Sequence, residues 1–256
     1  MISIVKVGGN IIDHPDKLAL FLEDFAKLKG FKILIHGGGK VASKFAESMG
    51  MEVKMIEGRR VTDQEMLDLV TMVYAGLVNK KVVAQLQANN CNALGFSGAD
   101  GNAIRSHKRK VKDIDYGFVG DVDEVNGEFI FELLQKGITP IFSAITHNKK
   151  GLLLNTNADT IASSIAIALS KFYQSRLIYC FELAGVLKNI EDEKSLIPKI
   201  DFLLYKKLKE EKIISEGMIP KLDNCFNAIE KGVNSIIICK AERLLTLSEG
   251  NHTEIS

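Results

Sequence analysis

The 256-residue chain has no tryptophan, only four prolines and four cysteines, and a net charge of +1. Cys91, Cys180, Cys225 and Cys239 form no C-x-x-C pair, which argues against a zinc site and favours reduced thiols in a core. A charge this close to zero provides no broad field for nucleic acid or an anionic membrane. No apolar run reaches the roughly 18–20 residues that span a bilayer, and no signal-like segment opens the chain. We therefore expect a cytoplasmic protein that binds neither nucleic acid nor membranes.

The chain alternates between short β-branched segments and amphipathic helices. Residues 2–7 predict a strand that ends in Gly8-Gly9, and residues 31–35 predict a second strand that precedes Gly37-Gly38-Gly39. Further strands are predicted at 138–145, 176–181 and 234–239, and helices at 158–171 and 221–231. This repeated order predicts an α/β fold with parallel strands.

Apolar spacing also predicts which helical residues are buried. In the helix after the second glycine turn, the predicted buried face is Val41, Phe45, Ala46 and Met49. The next helix is predicted to open at a capping box, Thr62-Asp63-Gln64-Glu65. Its predicted buried face is Met66, Leu69, Val70, Val73 and Leu77.

The pattern changes between residues 105 and 130. Short polar and apolar pieces with an Asn126-Gly127 turn signal predict β-hairpins that project from the sheet. The basic run His107-Lys108-Arg109-Lys110 predicts a solvated surface loop. His36 has no Ser, Cys or carboxylate at a recognisable spacing, so we expect a structural, hydrogen-bonded residue.

The two glycine turns are candidate phosphate sites. In a parallel sheet both turns open on the carboxyl edge, where such folds bind ligands. Glycine lets backbone N–H groups close on phosphate oxygens, and a following helix adds partial positive charge. The alternative is that both are only tight turns between strand and helix. The spacing excludes a Walker A loop and a dinucleotide-binding G-x-G-x-x-G.

Three charged residues stand at strand or helix ends. Lys6 lies in an otherwise apolar strand, where a buried ammonium needs an anionic partner; the alternative is an exposed edge lysine. Asp159 opens a predicted helix, where the alternative roles are Asn157 as N-cap and Asp159 as a partner of the helix dipole. Lys221 follows Pro220 in a first helical turn, where a cation opposes the dipole unless an anion binds.

Five motifs follow one another in the order of a known family. They are Lys6-Val7-Gly8-Gly9, His36-Gly37-Gly38-Gly39, Gly58-Arg59-Arg60-Val61-Thr62, Asn155-Thr156-Asn157-Ala158-Asp159 and Gly217-Met218-Ile219-Pro220-Lys221. Together they resemble the N-acetylglutamate kinases of the amino acid kinase family, over nearly the whole chain. The resemblance implies a single domain, 1–256, built as an open, mainly parallel αβα sandwich. It implies an acylglutamate-binding and dimerising lobe at 1–150 and a nucleotide-binding lobe at 151–256.

The resemblance also implies an ATP-dependent phosphorylation in arginine biosynthesis, with ATP, Mg²⁺ and an N-acylglutamate as ligands of a homodimer. Lys6 and Lys221 would contact the transferring phosphoryl group, and Asp159 would hold the lysines in place. Phosphates would bind Gly8, Gly9, Gly37 and Gly38; the acylglutamate would bind Gly38, Arg60 and Asn155; the nucleotide would contact Glu182, Gly185, Gly217 and Met218. No metal site formed by protein side chains is implied. The chemistry agrees, because a glutamyl carboxylate with a pKa of about 4.3 is already ionised and needs no general base.

Two segments depart from the family pattern. Phe181-Glu182 stands where relatives usually carry a hydroxyl residue followed by Asp, which leaves the nucleotide contacts open. Residues 143–150 lack a Ser-Pro-Ile-Gly-like ending, which leaves the acyl group open between acetyl and succinyl. A succinyl group would need an added cation, for which Arg59, Lys149 and Lys150 are candidates, with plain surface lysines as the alternative. Arginine-inhibited relatives carry a helix before the first strand, so we expect no inhibition by arginine.

Two alternative functions remain. A sibling kinase of the same fold would act on carbamate, aspartate, glutamate or UMP, and the segment Gly58 to Thr62 together with Asn155 argues against it. A nucleotide-binding sensor would keep the fold without turnover. The complete set of Lys6, Asp159 and Lys221 argues against that reading.

Overall fold

The computed structural model describes residues 1–56, 59–111, 113–211, 213–214 and 218–256. Its strands are β1 (Ile2–Val7), β2 (Phe31–His36), β3 (Met55–Ile56), β4 (Arg59–Arg60), β5 (Ala93–Phe96), β6 (Ile104–Lys108), β7 (Val119–Val125), β8 (Thr139–Phe142), β9 (Ile145–His147), β10 (Leu153–Thr156), β11 (Ser175–Phe181), β12 (Lys199–Ile200), β13 (Ser235–Lys240) and β14 (His252–Ile255). Its α-helices are α1 (Gly9–Ile12), α2 (Pro15–Lys27), α3 (Gly39–Ser48), α4 (Gln64–Val70), α5 (Asn79–Ala88), α6 (Gly127–Gln135), α7 (Ala158–Ser170), α8 (Phe202–Glu210) and α9 (Ile219–Glu230). A π-helical segment, Thr71–Val78, joins α4 to α5.

The main sheet has eight strands in the order β12-β14-β13-β11-β1-β2-β8-β5. Every neighbouring pair in it is parallel except β13 with β14. The predicted α/β class and the open, mainly parallel sheet are therefore confirmed. The carboxyl ends of β1, β2 and β11 lie side by side, so the residues that follow them meet at one edge.

Side chains of the central strands alternate between two hydrophobic cores. Val5 and Val7 of β1 pack with α2, α3, α4 and α5, whereas Ile2 and Ile4 pack with α6, α7, α8 and α9. Helices thus cover both faces of the sheet, as the αβα sandwich requires. Lys6 shares its face with Ile2 and Ile4, because strand side chains repeat every second residue. Its side chain therefore extends toward α7 and α9.

A second, four-stranded sheet is formed by β6, β7, β9 and β10 and closes on itself. The β6–β7 pair is the antiparallel hairpin expected between 105 and 130. The single strand predicted at 138–145 is wrong, because β8 stays in the main sheet and β9 joins the small one. Between them Ser143 is buried, and both its N–H and its hydroxyl donate to Phe96 O. These bonds satisfy the backbone where the chain leaves the main sheet.

One predicted turn and one predicted helix start need correction. Asn126-Gly127 is a helix start and not a hairpin turn, because Asn126 Oδ1 accepts a hydrogen bond from Phe129 N at 3.1 Å and caps α6. The N-cap of α4 is Asp63, which accepts from Met66 N at 2.8 Å. Thr62, predicted to open the capping box, is buried and donates instead to Arg60 O. Asn is common both in turns and at N-caps, and Thr and Asp are both good N-cap residues, so the sequence pattern alone did not separate these alternatives.

Two predicted buried faces are also partly wrong. Helix α3 buries Ala42 and Ala46, whereas Phe45 and Met49 are 43% and 62% exposed. In the next helix Leu77 is only partly buried, and Val78 is buried in its place. The π-helical segment explains this second error, since its wider turn shifts the helix face by one residue. Within the described residues, no helix has the length and apolar character needed to cross a bilayer.

Candidate functional site

Two lysines and one aspartate meet at the carboxyl edge of the main sheet. Lys6 Nζ of β1 lies 2.9 Å from Asp159 Oδ1, and Lys221 Nζ of α9 lies 3.5 Å from Asp159 Oδ2. The side chains of Lys6, Lys221 and Asp159 are 11%, 17% and 19% exposed. Lys6 is therefore not an exposed edge lysine. One carboxylate faces two ammonium groups, so an excess of positive charge is left at this edge for an anion.

The start of α7 fixes the position of Asp159. Asn157 is the N-cap, and its Oδ1 accepts hydrogen bonds from Asp159 N at 2.8 Å and from Thr160 N at 3.1 Å. The hydroxyl of Tyr179 donates to Asp159 O at 3.2 Å. The prediction that Asn157 is the N-cap of this helix is thus confirmed. The carboxylate of Asp159 takes no part in the cap and contacts the two lysines instead.

The charges of the cluster shift one another's pKa. Burial by itself raises the pKa of Asp159, but Lys6 and Lys221 outweigh it and hold that pKa below its ordinary value. Burial lowers the pKa of Lys221, and repulsion from Lys6 adds to this, while Asp159 raises it. Asp159 is consequently ionised at neutral pH and acts as an anchor for the lysines, not as a proton acceptor.

The glycine turns lie next to this cluster. Gly8 N donates to Cys180 O at 3.0 Å, so this N–H is not free for a phosphate. Gly9 and Gly39 are the first residues of α1 and α3, where N–H groups have no acceptor within the helix. Gly38 has φ +152°, and a Cβ there would lie 3.0 Å from Tyr74 Cδ1, so glycine is required at this position. The available donors therefore lie at the helix starts rather than at Gly8.

A cavity of about 210 Å³ lies beside the second glycine turn and holds the predicted acylglutamate residues. Its lining includes Gly37, Gly38, Gly39, Arg59, Arg60, Tyr74, Arg109, Asn155 and Ala158. Arg60 is buried, and its Nη2 donates to Gly39 O and Ser43 Oγ, both at 2.8 Å. Asn155 Nδ2 donates to Thr62 Oγ1 at 3.0 Å, and Thr62 Oγ1 donates to Arg60 O at 3.0 Å. These bonds fix Arg60 and Asn155 relative to each other; Gly58 lies outside the described residues.

Arg109 and Tyr74 line the same cavity and were missed in the sequence. Arg109 follows β6, and its Nε lies 3.1 Å from each carboxylate oxygen of Asp121. Its side chain is only 21% exposed, so the solvated position predicted for the run is wrong for Arg109. His107, Lys108 and Lys110 are exposed as predicted, although the first two belong to β6 and not to a loop. Arg109 also borders a neighbouring cavity of about 490 Å³ that includes Arg59. The opposite charges of Arg109 and Asp121 on a hairpin were the only sequence signal.

His36 is structural, as expected. Its Nδ1 lies 2.8 Å from Gly37 O, and its Nε2 lies 3.0 Å from Asn79 Nδ2, which also donates to Ile141 O. Burial lowers the pKa of His36 to about 4, so the ring is neutral at pH 7. The network assigns the proton to Nδ1, with Nε2 accepting from Asn79. His36 therefore links β2 to the following turn without carrying charge.

A third cavity, of about 290 Å³, lies at the start of α9 and is mainly apolar. Of the predicted nucleotide residues, Gly185 and Met218 line it, Glu182 is not among its lining residues, and Gly217 lies outside the described residues. A Cβ on Gly185 would lie 2.4 Å from Thr253 Oγ1, so this glycine is also required for packing against β14. Met218 lies three residues before Lys221, and Ala158 of the Arg60 cavity precedes Asp159. Each cavity therefore includes a residue close in sequence to the charged cluster.

Known proteins resemble this chain in sequence and in fold. The sequence model of the Amino acid kinase family matches residues 1–240. Acetylglutamate kinase from Cytophaga hutchinsonii is 55% identical over 251 residues, 98% of this chain and 95% of that protein. Acetylglutamate kinase from Parabacteroides distasonis is 51% identical over 241 residues, 94% of each chain. The solved carbamate kinase from Giardia lamblia bound to AMP-PNP has a TM-score of 0.72 at 14% identity, covering 99% of this chain and 97% of that one. This last likeness shows the fold alone.

Proposed function

The chain belongs to the amino acid kinase family, and from that premise we propose that it transfers the γ-phosphoryl group of ATP to the side-chain carboxylate of an N-acylated glutamate. The observation that carries the proposal is the pair Lys6 and Lys221 on the single carboxylate of Asp159. The relatives at 55% and 51% identity are named acetylglutamate kinase, which supports the same acceptor here.

The reaction needs charge neutralisation more than proton transfer. A glutamyl carboxylate oxygen forms a bond to the γ-phosphorus, and the bond from that phosphorus to the β–γ bridging oxygen breaks, giving an acyl phosphate and ADP. Two anions approach each other, and negative charge moves to the leaving β-phosphate. Lys6 and Lys221 stabilise that charge from fixed positions because Asp159 anchors both.

The two cavities suit the two substrates. Arg60 presents a planar guanidinium that matches a carboxylate with two hydrogen bonds, and Asn155 offers an amide to the acylamino group. The apolar cavity by Met218 fits a flat base, and the first-turn N–H groups at Gly9 and Gly39 are the donors we assign to the phosphates. Magnesium enters with ATP as part of the substrate, bound mainly by phosphate oxygens.

The name of these relatives favours acetyl as the acyl group, and succinyl is the alternative. Arg59 and Arg109 border the Arg60 cavity, and each could pair with a second carboxylate, although Arg109 already contacts Asp121. Lys149 and Lys150 lie in an exposed turn and are not among the lining residues of that cavity. If the acyl group is succinyl, the arginines are therefore better candidates than the two lysines.

The deciding experiment is a hydroxylamine trap for acyl phosphate, run with ATP and Mg²⁺. The acceptors are N-acetylglutamate, N-succinylglutamate, free glutamate and aspartate, each at the same concentration. We expect hydroxamate with an acylglutamate and none with the free amino acids. Absence of signal with both acylglutamates would overturn the proposed function, and the ratio of their kcat/KM values identifies the acyl group.

Replacing Arg60 tests the acylglutamate site. Arg60→Lys keeps the charge but loses the planar pair of donors, so we expect KM for the acylglutamate to rise about 10- to 100-fold. KM for ATP should change less than twofold. Ser43→Ala removes one partner of Arg60 but keeps the guanidinium, and serves as the matched control with a much smaller effect. Equal rises of KM for both substrates would place Arg60 outside the acceptor site.

The assembly and location of the enzyme complete the proposal. We propose that the enzyme is a homodimer and that it works in the cytoplasm, where ATP is available. Within each chain, residues 1–150 form the acylglutamate-binding lobe and residues 151–256 the nucleotide-binding lobe. Light scattering coupled to gel filtration checks the assembly. A mass near twice the 28.2 kDa of the chain supports it, and a mass near 28.2 kDa contradicts it.

A further inference from the structure

Phe181, the last residue of β11, lies beside both lysines of the cluster. Lys221 Nζ is 3.4 Å from the centroid of the Phe181 ring, and Lys6 Nζ is 5.0 Å from it. Both distances are within the roughly 6 Å over which an aromatic face attracts a cation.

The ring is held in place from two sides. Tyr179, two residues earlier on the same face of β11, stacks with Phe181 at a centroid distance of 6.1 Å and an angle of 12°. On the other side, a Cβ on Gly8 would lie 3.3 Å from Phe181 Cδ1, so the first glycine turn leaves room for the ring. Tyr179 is also the strand partner of Lys6. The aromatic pair of β11 therefore lies next to Lys6 on the neighbouring strand β1.

The other groups facing Lys221 show why an aromatic contact matters. Asp159 is an anion, and Lys6 repels the Lys221 ammonium. Burial raises the pKa of Cys225 to about 12, and burial raises that of Tyr179 well above its ordinary value, so both are neutral at pH 7. Asp159 has to balance two ammonium groups, and two aromatic faces attract Lys221 as well. The Phe181 ring is the nearer, at 3.4 Å, and the Tyr179 ring lies at 5.9 Å, at the edge of the range for such a contact.

We propose that Phe181 is a positioning residue for phosphoryl transfer, whose ring face holds the ammonium groups of Lys221 and Lys6 beside Asp159, where they meet the transferring phosphoryl group. The inference rests on the proposed function. It assigns Phe181 no contact with substrate; it acts through the lysines. It also gives Gly8 a role, which is to admit the ring rather than to donate to phosphate.

A fluorine series tests the ring face without changing the shape of the side chain. Phenylalanine with one, two or three ring fluorines is incorporated at position 181, because fluorine withdraws electron density from the face that attracts the cation. We expect kcat at pH 7.5 to fall stepwise, by about tenfold for the trifluoro ring, with both KM values within about twofold. The high-pH limb of the kcat profile should move to lower pH by about half to one pH unit.

Two further variants complete the design. Phe181→Leu removes the ring at similar polarity and should match or exceed the trifluoro effect. Phe202 is the control, because Lys206 Nζ lies 4.6 Å from its ring on the surface of α8, and the same fluorine series there should leave kcat unchanged. Thermal unfolding checks that each variant folds.

Direct titration of Lys221 separates this inference from the proposed function. The ammonium is followed by NMR of labelled lysine, assigned with Lys221→Met, in wild type and in the fluorine series. A stepwise fall in the Lys221 pKa is expected. An active wild type with a flat series in kcat and in the Lys221 pKa would overturn the role of Phe181 alone. If the wild-type protein forms no acyl phosphate, the proposed function is wrong, and the role of Phe181 in phosphoryl transfer is wrong with it.

Discussion

Lys221→Ala and Lys6→Ala are each expected to lower kcat by about 10²–10³ or more while the protein still folds, because each removes a charge directed at the developing phosphate charge. KM for either substrate should change far less, since the lost interaction is strongest in the transition state. Initial rates of ADP release, with hydroxamate formation as a second readout, measure the effect. Thermal unfolding establishes that each variant is folded.

The matched control is a lysine with an ion pair but no place in the site. Lys27 of α2 lies 2.7 Å from Glu23, and its side chain is 55% exposed. Lys27→Ala should leave kcat unchanged and cost little stability, since water and salt screen an exposed ion pair. Near-normal turnover in both Lys6→Ala and Lys221→Ala would remove the cluster from the mechanism. If kcat falls in only one of the two variants, only that lysine contributes to phosphoryl transfer.

Local patterns predicted the fold because strand and helix periods are strong signals. β1 and β2 are short, largely apolar runs with both faces buried, and α7 carries its apolar residues at helical spacing. Errors occurred where one residue type serves two structures. Asn126 fits a turn or a cap, and the helical face near Leu77 depends on a π-helical turn that no local pattern announces.

The site residues that could be predicted from the sequence are those in motifs at the end of a strand or at the start of a helix. Lys6, Asp159 and Lys221 were identified in this way, and the structure brings them together. Phe181 and Arg109 were not, because their contacts join distant parts of the chain. Phe181 meets Lys221 only after β11 and α9 have packed, and Arg109 reaches the Arg60 cavity only because β6 pairs with β7. Such contacts depend on tertiary packing, which local sequence does not encode.

Asp159→Asn is the second variant with a large expected effect. The change keeps the size of the side chain but leaves two ammonium groups facing each other without an anion, so Lys221 should lose its proton more readily. We expect kcat to fall by about 10²–10³, as for loss of either lysine, because both lose their anchor. Asp24→Asn, at an exposed ion pair with Lys27, is the control and should leave kcat unchanged.

The same variant has a defined effect on stability. Removing one partner of a nearly buried ion pair costs about 3 kcal/mol, so Asp159→Asn should unfold at a lower urea concentration at pH 7. The pKa of Asp159 is lower in the folded protein than in the unfolded chain. The stabilisation it contributes is therefore complete above the unfolded value near 4 and is lost as pH falls through the folded value. Urea midpoints of wild type and variant should differ by a constant amount from pH 7 to pH 5 and converge below about pH 4. A difference that persists unchanged to pH 3 would mean that Asp159 is not held as an anion by the two lysines.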